Sequence, residues 1–532
     1  MVSTVAYVDR RINMRKKIKK SLVIMMVTAM AATLCVSCGG GKSKKKSETT
    51  KTESSAPKAG DIAEGGKVTV GVTQDLDSLD PHNCVYAGTR EVLFNIFEGL
   101  VKPTSEGELV PAVASEYNIS EDGTVYSFKL RDGIKFHDGN AVTVDDVKYS
   151  IDRYAEIKKD DPAWTNFKEI TTEGDKDIKV TLNTGDTEFL SELTVAIIEK
   201  SNEANITKTP VGTGPFKFKE FKPGEKLVVE KNKDYWNNPY PYLDEVTFKI
   251  EADTDAAMMQ LQSGTIDIYQ YLTTDQAKTL ENDFNILHGS VNYVQALFLN
   301  NDYEPFKNED VRKALCYAVD RDQINEFLFD GYSHIIGTNM IPAFKKYYNE
   351  DTEKTYSVDV EKAKELLKKA GYEKGFDLTI TVPNNYEPHQ SAAEIIVENL
   401  KEIGINAKIN MVEFSTWVDE AYTNKKYQAT VVAVDGTLTP SSWFKKNVSD
   451  GKNNFTNYKN DEYDELYKKA TASTDDKEKV ESYKKMQQIL ADTAASVYLE
   501  DPANIVAINK KLDGYVFYPV AAQDMSVVYF KK

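Results

Sequence analysis

Histidine is scarce in this chain of 532 residues, and its scarcity excludes several kinds of chemistry. The five histidines, at positions 82, 137, 288, 334 and 389, are too far apart for any local metal-ligand spacing, and no His-Glu-x-x-His motif occurs. A Gly-x-Ser-x-Gly motif, which would present a nucleophilic serine on a strand-to-helix turn, is absent too. The sequence therefore predicts no metal site, no cofactor and no catalytic residue.

Cysteine is equally sparse, with four residues in the whole chain. Beyond Cys38 only Cys84 and Cys316 remain, which is too few for the disulfide framework of a small exported protein. The sequence favours two unpaired thiols and leaves open whether they form a disulfide.

An excess of basic charge is missing as well. The chain has 66 Lys and Arg against 83 Asp and Glu, a net charge of −17 at pH 7, which argues against nucleic acid as a partner. No internal repeat is visible, which excludes a solenoid. The residues after position 66 exceed the size of one hydrophobic core, so we expect two or three domains.

No apolar run approaches the roughly 20 residues that a membrane-spanning helix needs. The longest, 22–34, follows a cluster of arginines and lysines, and this order is typical of a secretory signal peptide over 1–37. A permanent membrane helix is the alternative interpretation. Translation from Met14 is a second open alternative, since the residues that follow it form an adequate basic region.

Cys38 resembles the lipidated cysteine of a bacterial lipoprotein signal. In that motif an aliphatic residue and two small residues precede the cysteine, whereas here Leu34 lies one place too early and Cys35 occupies its usual position. Ordinary signal cleavage, with no role for Cys38, is the alternative. Residues 38–66 then predict a lipidated cysteine and a flexible linker, because this polar tract cannot bury a core.

The first half of the remaining chain mixes strand and helix signals. A strand is predicted at KVTVGV (67–72) and a helix at 90–101. Asp122-Gly123 and Asp132-Gly133 predict hairpin turns, and so does Lys222-Pro223-Gly224. Thr143 is a helix N-cap followed by acidic residues in the first turn.

After about residue 298, amphipathic helices alternate with the short strands FDLTITV, NAKINMV and ATVVAV. This order predicts a partly parallel sheet with crossover helices. The final segments SVYLEDPANIVAIN and GYVFYPV are strand-like, and we expect them to return the chain to the first domain.

A series of sequence blocks, in order, resembles a known family. The blocks are LDSLDPHN, LFNIFEGLV, the long segment from LVPAVASEYN to KYSIDR, GTGPFKFKEFKPGEKLVVEKNKDYW, LQSGTIDI, VRKALCYAVDRDQI and AKELLKKAGY. They are similar to the extracytoplasmic peptide-binding proteins of ATP-driven importers, in the branch that binds oligopeptides and dipeptides and includes nickel-binding members. The resemblance extends from about Lys67 to the C-terminus.

The resemblance implies an α/β fold, a two-lobed clamshell of the periplasmic-binding-protein type with mixed sheets and an additional α+β subdomain. Lobe I would be discontinuous, formed by 67–98, 211–293 and 500–532, and the subdomain would be 99–210. Lobe II would be 294–499, with hinge crossings near Tyr293 and Glu500. The ligand would lie in the cleft between the lobes.

The family comparison also implies binding residues. Asp435 would hold the peptide α-ammonium, although the segment DGTLTPSSW has one more residue before its proline than the family pattern. Peptide main chain would pair with Cys84, Val85 and Tyr86 on one side and with Val432, Ala433 and Val434 on the other. The aromatic residues implied for side-chain pockets are Tyr269, Tyr271, Phe414, Trp417, Trp443 and Tyr498.

The arginine that holds the carboxylate in dipeptide binders is absent from VPNNYEPHQS. Lys425 and Lys426 are at the place where the oligopeptide type has basic residues, but they are also interpretable as plain surface lysines. Without a clear carboxylate clamp, we expect peptides longer than two residues.

These inferences predict a lipid-anchored receptor on the extracytoplasmic face of the bacterial cell membrane. It would act as a monomer that delivers peptides to an ABC transporter permease, without enzymatic activity. The alternatives are uptake of a nickel chelate, reception of a signalling peptide and, with less support, a surface hydrolase.

Overall fold

The computed structural model describes residues 62–63, 65–161, 163–251, 253–384 and 386–532. The chain divides into two compact units, and the described residues all belong to the second, Pro57–Lys532. The signal peptide over 1–37 and the lipidated Cys38 lie outside them and stay predictions. Among the described residues, no helix combines the length and the apolar character that crossing a bilayer requires.

The strands are β1 (Ile62–Ala63), β2 (Lys67–Val72), β3 (Val101–Pro103), β4 (Leu109–Pro111), β5 (Ala114–Ile119), β6 (Val125–Leu130), β7 (Phe167–Glu173), β8 (Asp177–Leu182), β9 (Phe216–Lys222), β10 (Lys226–Lys231), β11 (Glu245–Ile250), β12 (Ile268–Tyr269), β13 (Phe284–Ser290), β14 (Val294–Leu299), β15 (His334–Ile335), β16 (Asp377–Pro383), β17 (Asn406–Val412), β18 (Ala429–Val434), β19 (Val497–Asp501), β20 (Ala503–Asn509), β21 (Leu512–Asp513) and β22 (Tyr529–Lys531).

The α-helices are α1 (Ala87–Leu93), α2 (Val144–Ile157), α3 (Thr254–Gln262), α4 (Thr274–Leu280), α5 (Glu309–Ala318), α6 (Arg321–Phe329), α7 (Val360–Lys369), α8 (Glu387–Lys401), α9 (Phe414–Thr416), α10 (Pro440–Phe444), α11 (Asp461–Ala472) and α12 (Asp476–Asp492). Short 3-10 helices are Trp164–Asn166, Phe189–Thr194, Lys200–Asn205, Glu304–Lys307, Pro342–Tyr347, Glu350–Lys354 and Lys445–Asn447, and a π-helix is Trp417–Thr423.

Seven strands form the first sheet, in the order β13-β20-β12-β2-β11-β10-β9. The predicted strand at 67–72 is β2, and it runs parallel to β11 and β12. Lys222-Pro223-Gly224 is the predicted turn between the antiparallel β9 and β10. Near the C-terminus β20 inserts between β13 and β12, so the chain returns to this sheet as predicted.

A second sheet of six strands has the order β15-β19-β14-β18-β16-β17. β16 runs parallel to β17 and to β18, and α8 forms the crossover between β16 and β17. The predicted partly parallel sheet with crossover helices is therefore confirmed. Its core includes Leu297, Ile380 and Val431, all fully buried, because parallel strands covered by helices are apolar on both faces.

The third sheet has the strand order β5-β6-β8-β7, and α2 packs on it. This helix begins as predicted at Thr143, whose hydroxyl accepts from the Asp146 N–H while the Asp146 carboxylate accepts from the Thr143 N–H. The predicted Asp122-Gly123 hairpin turn joins β5 to β6. The second predicted hairpin is wrong, because β6 pairs with β8 on its other side and the chain after Gly133 forms only an isolated bridge.

The predicted helix over 90–101 is also wrong in its extent, since α1 ends at Leu93. The Asn95 side chain donates to the Gln523 carbonyl (2.8 Å) and accepts from the Met525 N–H (2.9 Å). These long-range bonds tie residue 95 to the C-terminal segment.

Both ends of the folded region differ from the sequence prediction. GYVFYPV, predicted as a strand, is irregular between β21 and β22. Ile62–Ala63, within the predicted flexible linker, forms a strand that pairs with Phe530 and Lys531 of β22.

The chain passes from the first sheet to the second through residues 291–293 and returns through Pro502. The Val291 N–H donates to the Pro502 carbonyl at 2.9 Å, so the two crossings are hydrogen-bonded to each other. Asp501 accepts from the Tyr293 N–H at 3.0 Å. Beside it, Glu500 is buried, and neither of its carboxylate oxygens accepts a well-formed hydrogen bond within the described chain.

A polar contact joins the subdomain that contains α2 to the helices of the second sheet. The Glu188 carboxylate accepts from the Lys479 ammonium (3.2 Å), the Tyr483 hydroxyl (2.6 Å) and the Ser441 N–H (3.0 Å). The side chains of Glu188 and Lys479 are only 10% and 6% exposed, so the charges are largely desolvated. We call this contact the Glu188 bridge.

Burial raises the pKa of Glu500 to about 8 and that of Asp501 to about 7. In the unfolded chain both carboxyl groups ionise near pH 4. Their contribution to the free energy of unfolding is therefore greatest below pH 4 and is lost as the pH rises to about 8. The unmodified protein should therefore have a lower free energy of unfolding at pH 8 than at pH 5.5. In Glu500→Gln we expect this difference between the two pH values to be smaller by a few kcal/mol, because one pKa unit corresponds to about 1.4 kcal/mol. Differential scanning calorimetry at both pH values measures this. Glu121→Gln, at an exposed site, is the control, and an unchanged pH dependence in the Glu500 variant would contradict the expectation.

Glu188→Gln removes the negative charge of the Glu188 bridge and keeps the shape of the side chain. We expect the ligand-free variant to populate a more open arrangement, because hydrogen bonds to a charged group contribute about 1.5–3 kcal/mol. A larger radius of gyration in small-angle X-ray scattering would show this. Lys346→Met is the matched control, since it breaks an exposed ion pair to Asp476 within the second lobe. Equal radii for the variant and the unmodified protein would refute the expectation.

Candidate functional site

A cavity of about 580 Å³ lies between the two sheets, next to the chain crossings. The first sheet and its connections contribute, among others, Cys84, Arg90, Glu91, Gln270 and Tyr271, and the subdomain contributes Ser191, Glu192 and 194–196. The crossing residues Asn292 and Tyr293 lie in its wall. From the second lobe come Tyr422, 435–438, Ser442, Lys445, Lys446 and Asn453. The cavity is therefore walled by both lobes.

Asp435 is in the cavity wall, at the residue that follows β18. The loop that follows Asp435 is held by Trp443, whose indole N–H donates to the Thr437 carbonyl at 3.1 Å. Gly436 lies against the same ring, since a Cβ atom there would come within 2.5 Å of it. Only glycine allows this approach, so the loop presents Asp435 in a defined position.

Five acidic residues line the cavity: Glu91, Glu98, Glu192, Asp435 and Asp524. Four of them accept hydrogen bonds from the protein, from the Tyr271 hydroxyl (2.9 Å), the Tyr235 hydroxyl (2.6 Å), the Trp164 indole (3.0 Å) and the Tyr518 hydroxyl (2.8 Å), respectively. Within the described part of the chain, the carboxylate of Asp435 accepts no hydrogen bond and forms no ion pair. Asp435 is exposed, so its charge is solvated, and among the described residues it is the one of the five acids whose carboxylate has no protein partner.

Lys446 is the basic neighbour of Asp435, and sequence reasoning missed it. Its ammonium donates to the main-chain carbonyls of Asp435 and, at 3.3 Å, Ser442, and lies 5.1 Å from the centre of the Trp443 ring. Burial lowers the pKa of Lys446 to about 8, although the charge of Asp435 acts in the opposite direction. The only sequence signal was its place in a short helical segment after Pro440, which turns the chain back toward the loop.

The predicted segment 84–86 lies beside the cavity and is only partly in its wall. Cys84 lines the cavity, its thiol donates to the Pro81 carbonyl at 3.4 Å, and burial raises its pKa to about 11, so the sulfur stays protonated. Val85 and Tyr86 are exposed, and their N–H groups donate to one oxygen of Asp77 (2.6 and 3.3 Å). Their main-chain donors are therefore already occupied.

The other predicted main-chain segment, Val432, Ala433 and Val434, is interior to β18. One edge of this strand pairs with β14, and the Ala433 N–H on the other edge donates to Nε2 of His389 at 3.2 Å. Burial lowers the pKa of His389 to about 3, so the ring is neutral and Nε2 is its acceptor nitrogen. None of these three residues lines the cavity.

Of the six predicted pocket aromatics, the structure brings only Tyr271 into the cavity wall. Its hydroxyl donates to Glu91, whose pKa is raised by burial. Tyr269, Trp417, Trp443 and Tyr498 are buried in hydrophobic cores, and Phe414 is exposed and stacks on Trp417. The sequence pattern did not distinguish core aromatics from cavity aromatics.

The aromatic side of the cavity comes instead from 515–520, the segment predicted as a strand. Tyr515, Phe517 and Tyr518 line the wall there, and burial raises the pKa of each of the two tyrosines. Cys84 and Cys316 are both free thiols. Among the described residues, no group of three His, Cys, Asp or Glu side chains could hold a metal ion.

The chain is similar to proteins of known fold and role. The oligopeptide-binding protein AppA of Bacillus subtilis (strain 168) is 28% identical over 544 residues, covering 95% of this chain and 97% of the relative. The crystal structure of the ABC transporter substrate binding protein CtaP from Listeria monocytogenes superimposes with a TM-score of 0.80 at 27% identity, covering 88% of this chain and 100% of that chain.

A third similar protein is the periplasmic binding protein DppA from Helicobacter pylori in complex with the peptide STSA. Its TM-score is 0.74 at 29% identity, with 88% of this chain and 99% of that chain covered. These superpositions confirm the predicted α/β fold, a two-lobed clamshell with mixed sheets. Residues 108–456 match the family described as bacterial extracellular solute-binding proteins, family 5 Middle. The chain therefore belongs to family 5 of the bacterial extracellular solute-binding proteins.

Proposed function

We propose that this protein captures peptides in the cavity between its lobes and delivers them to the permease of an ABC transporter. A lipid on Cys38 would hold it, as a monomer, at the extracytoplasmic face of the cell membrane. The family is extracellular, and the relatives named above include an oligopeptide-binding protein and a complex with the peptide STSA. The single observation that carries the proposal is the unused carboxylate of Asp435 in the cavity wall.

The proposed role of Asp435 is to bind the α-ammonium group of the peptide. An ammonium that leaves water must be paired, and a carboxylate without another partner supplies the pair at the lowest cost. The other four acidic side chains of the wall already accept hydrogen bonds from Tyr or Trp. A ligand cation at Asp435 would therefore complete the electrostatics of the wall without breaking an existing hydrogen bond.

The side chains of the peptide would lie toward the aromatic wall formed by Tyr271, Tyr515, Phe517 and Tyr518. Tyrosine rings provide apolar surface, and their hydroxyls can bind water, which suits ligands of varied sequence. The described cavity of about 580 Å³ is within the usual range for small-ligand sites, and we expect it to admit peptides of more than two residues.

The lobes that close on the peptide would be those predicted, 67–98, 211–293 and 500–532 against 294–499, with 99–210 as the subdomain. The strand pairing favours one adjustment to these limits. β19 runs through Asp501 and pairs within the second sheet, so we place the return crossing at Pro502. The first lobe would also include β1, which pairs with β22.

Asp435→Asn keeps the shape of the side chain and removes its charge. We expect this variant to bind peptides of three to six residues about 10- to 100-fold more weakly, which corresponds to the 1.5–3 kcal/mol of a hydrogen bond to a charged group. Native mass spectrometry with peptide pools of graded length identifies the bound lengths, and isothermal titration calorimetry gives the affinities. Asp160→Asn, at an exposed site in the subdomain, is the control.

An N-acetylated copy of each peptide adds a second comparison. Acetylation removes the ligand ammonium, so it should weaken binding to the unmodified protein but not weaken it further in Asp435→Asn. If acetylated and free peptides bound the unmodified protein equally well, Asp435 would not be the ammonium site. If no peptide bound, the proposed function would be wrong.

Cys38→Ser tests the lipid anchor. We expect the unmodified protein, expressed in a Gram-positive host, to partition into the detergent phase of Triton X-114 and the variant to be released into the medium, because serine cannot carry the thioether-linked lipid. Cys84→Ser is the control, since its thiol lies in the folded region. Retention of the serine variant in the membrane fraction would exclude the anchor at Cys38.

A further inference from the structure

Two charged groups of opposite sign lie next to each other in the cavity wall without neutralising one another. The Lys446 ammonium donates to the main-chain carbonyl of Asp435, the residue whose carboxylate is unused. Standard bond lengths then keep the two charged groups within about 8 Å. They nevertheless form no ion pair, although both are described and both line the cavity.

Lys446 is half-buried, and its protein partners leave its charge uncompensated. Two carbonyl oxygens and the face of Trp443 provide partial negative charge, but within the described chain no carboxylate lies within ion-pair distance of its nitrogen. A half-buried ammonium without a counter-charge has lost part of its hydration without compensation, which costs free energy. A counter-ion that arrives with the ligand would remove this cost.

We infer that Lys446 binds a carboxylate of the ligand, so that the Asp435 end of the cavity takes ligands in which an ammonium and a carboxylate are separated by only a few bonds. Peptides of this class are dipeptides with a free C-terminus and longer peptides whose first residue is acidic. The inference rests on the proposed function, because it assumes that Asp435 binds the ammonium. It adds a selectivity for anionic groups that the sequence did not predict.

A purely structural role for Lys446 gives a different expectation. If the lysine only positioned the Asp435 loop, its replacement would weaken all peptides by the same factor. If it binds the ligand carboxylate, replacement weakens the peptides that carry this carboxylate and leaves their neutral analogues unchanged. The ratio of two affinities therefore distinguishes the roles.

The test uses two pairs of peptides that differ in one charge. One pair is Ala-Ala and its C-terminal amide, and the other is Asp-Ala-Ala amide and Asn-Ala-Ala amide. Affinities are measured by isothermal titration calorimetry for the mature protein, for Lys446→Met and for Lys452→Met. Lys452 is exposed and does not line the cavity, so the last variant removes an equal charge outside the site and controls for the general electrostatic field.

We expect the unmodified protein to prefer the acidic member of at least one pair by about 10-fold or more, as a hydrogen bond between charged groups implies. Lys446→Met should bring this ratio close to one, and Lys452→Met should retain it. Absence of any acid preference in the unmodified protein, or its persistence in Lys446→Met, would overturn the inference. Failure of every peptide to bind would overturn the proposed function as well, so the two failures are distinguishable.

A pH series gives a second readout that a structural role would not produce. The charged groups that act on Lys446 are Asp435, which raises its pKa, and Lys445, which lowers it, while burial is the largest effect and brings the pKa to about 8. A ligand carboxylate favours the protonated lysine, so the acid preference is fully present below pH 8 and is lost as the pH rises above it. An acid preference unchanged between pH 7 and pH 10 would contradict the assignment.

Discussion

The arrangement of this protein depends on one constraint, that within its described residues the chain connects the two large sheets only twice. Residues 291–293 lead from β13 to β14, and Pro502 leads from β19 back to β20. The hydrogen bond from the Val291 N–H to the Pro502 carbonyl holds these crossings side by side, so they act as a single joint. Any change in the angle between the lobes must be absorbed there, and Asn292 and Tyr293 place the joint in the wall of the cavity.

A second contact complements the joint. The Glu188 bridge connects the subdomain to Lys479 and Tyr483, and the side chains of Glu188 and Lys479 are only 10% and 6% exposed. The covalent crossings and this polar contact together join the part of the chain that carries the first sheet and the subdomain to the part that carries the second sheet. Since the polar contact can dissociate into water and the crossings cannot, separation of the lobes would start at the Glu188 bridge.

Local signals predicted most of the secondary structure. The helix after Thr143 needs only its own residues, because the hydroxyl of the cap and the Asp146 carboxylate satisfy donors within one turn. The strands of the second sheet are short apolar runs between amphipathic helices, and that order permits few arrangements other than a parallel sheet. The hairpin turn at Pro223-Gly224 was likewise predicted from its own local residues.

The errors occur where distant residues decide the local conformation. Asn95 ends α1 early because its side chain binds main-chain groups of Gln523 and Met525, which no window around residue 95 contains. The segment at 515–520 has the composition of a strand, but it is irregular and its aromatic side chains line the cavity. In the same way, the buried aromatics Tyr269 and Trp417 have the composition of pocket residues but lie in the core.

The residues of the candidate site also differ in how far the sequence could indicate them. Asp435 was nominated by the resemblance to the family, and the structure places it in the cavity wall at the residue that follows β18, while its role stays a prediction. Lys446 was not nominated, because its contact with Asp435 depends on how the short helix after Pro440 folds back. Sequence spacing gives no measure of that fold.

Main-chain donors in the segments predicted to pair with a peptide are already hydrogen-bonded within the protein. The Ala433 N–H is already bound by a neutral histidine, and the N–H groups of Val85 and Tyr86 are bound by Asp77. A peptide that paired with these donors would have to displace internal hydrogen bonds, and each exchange would gain little, because one bond replaces another. Lys446 donates to two main-chain carbonyls, but neither it nor Asp435 forms an ion pair among the described residues. Under the proposed function, recognition in this part of the cavity would therefore depend on the charged groups of the ligand more than on its main chain, and selectivity would depend on how far apart those groups are.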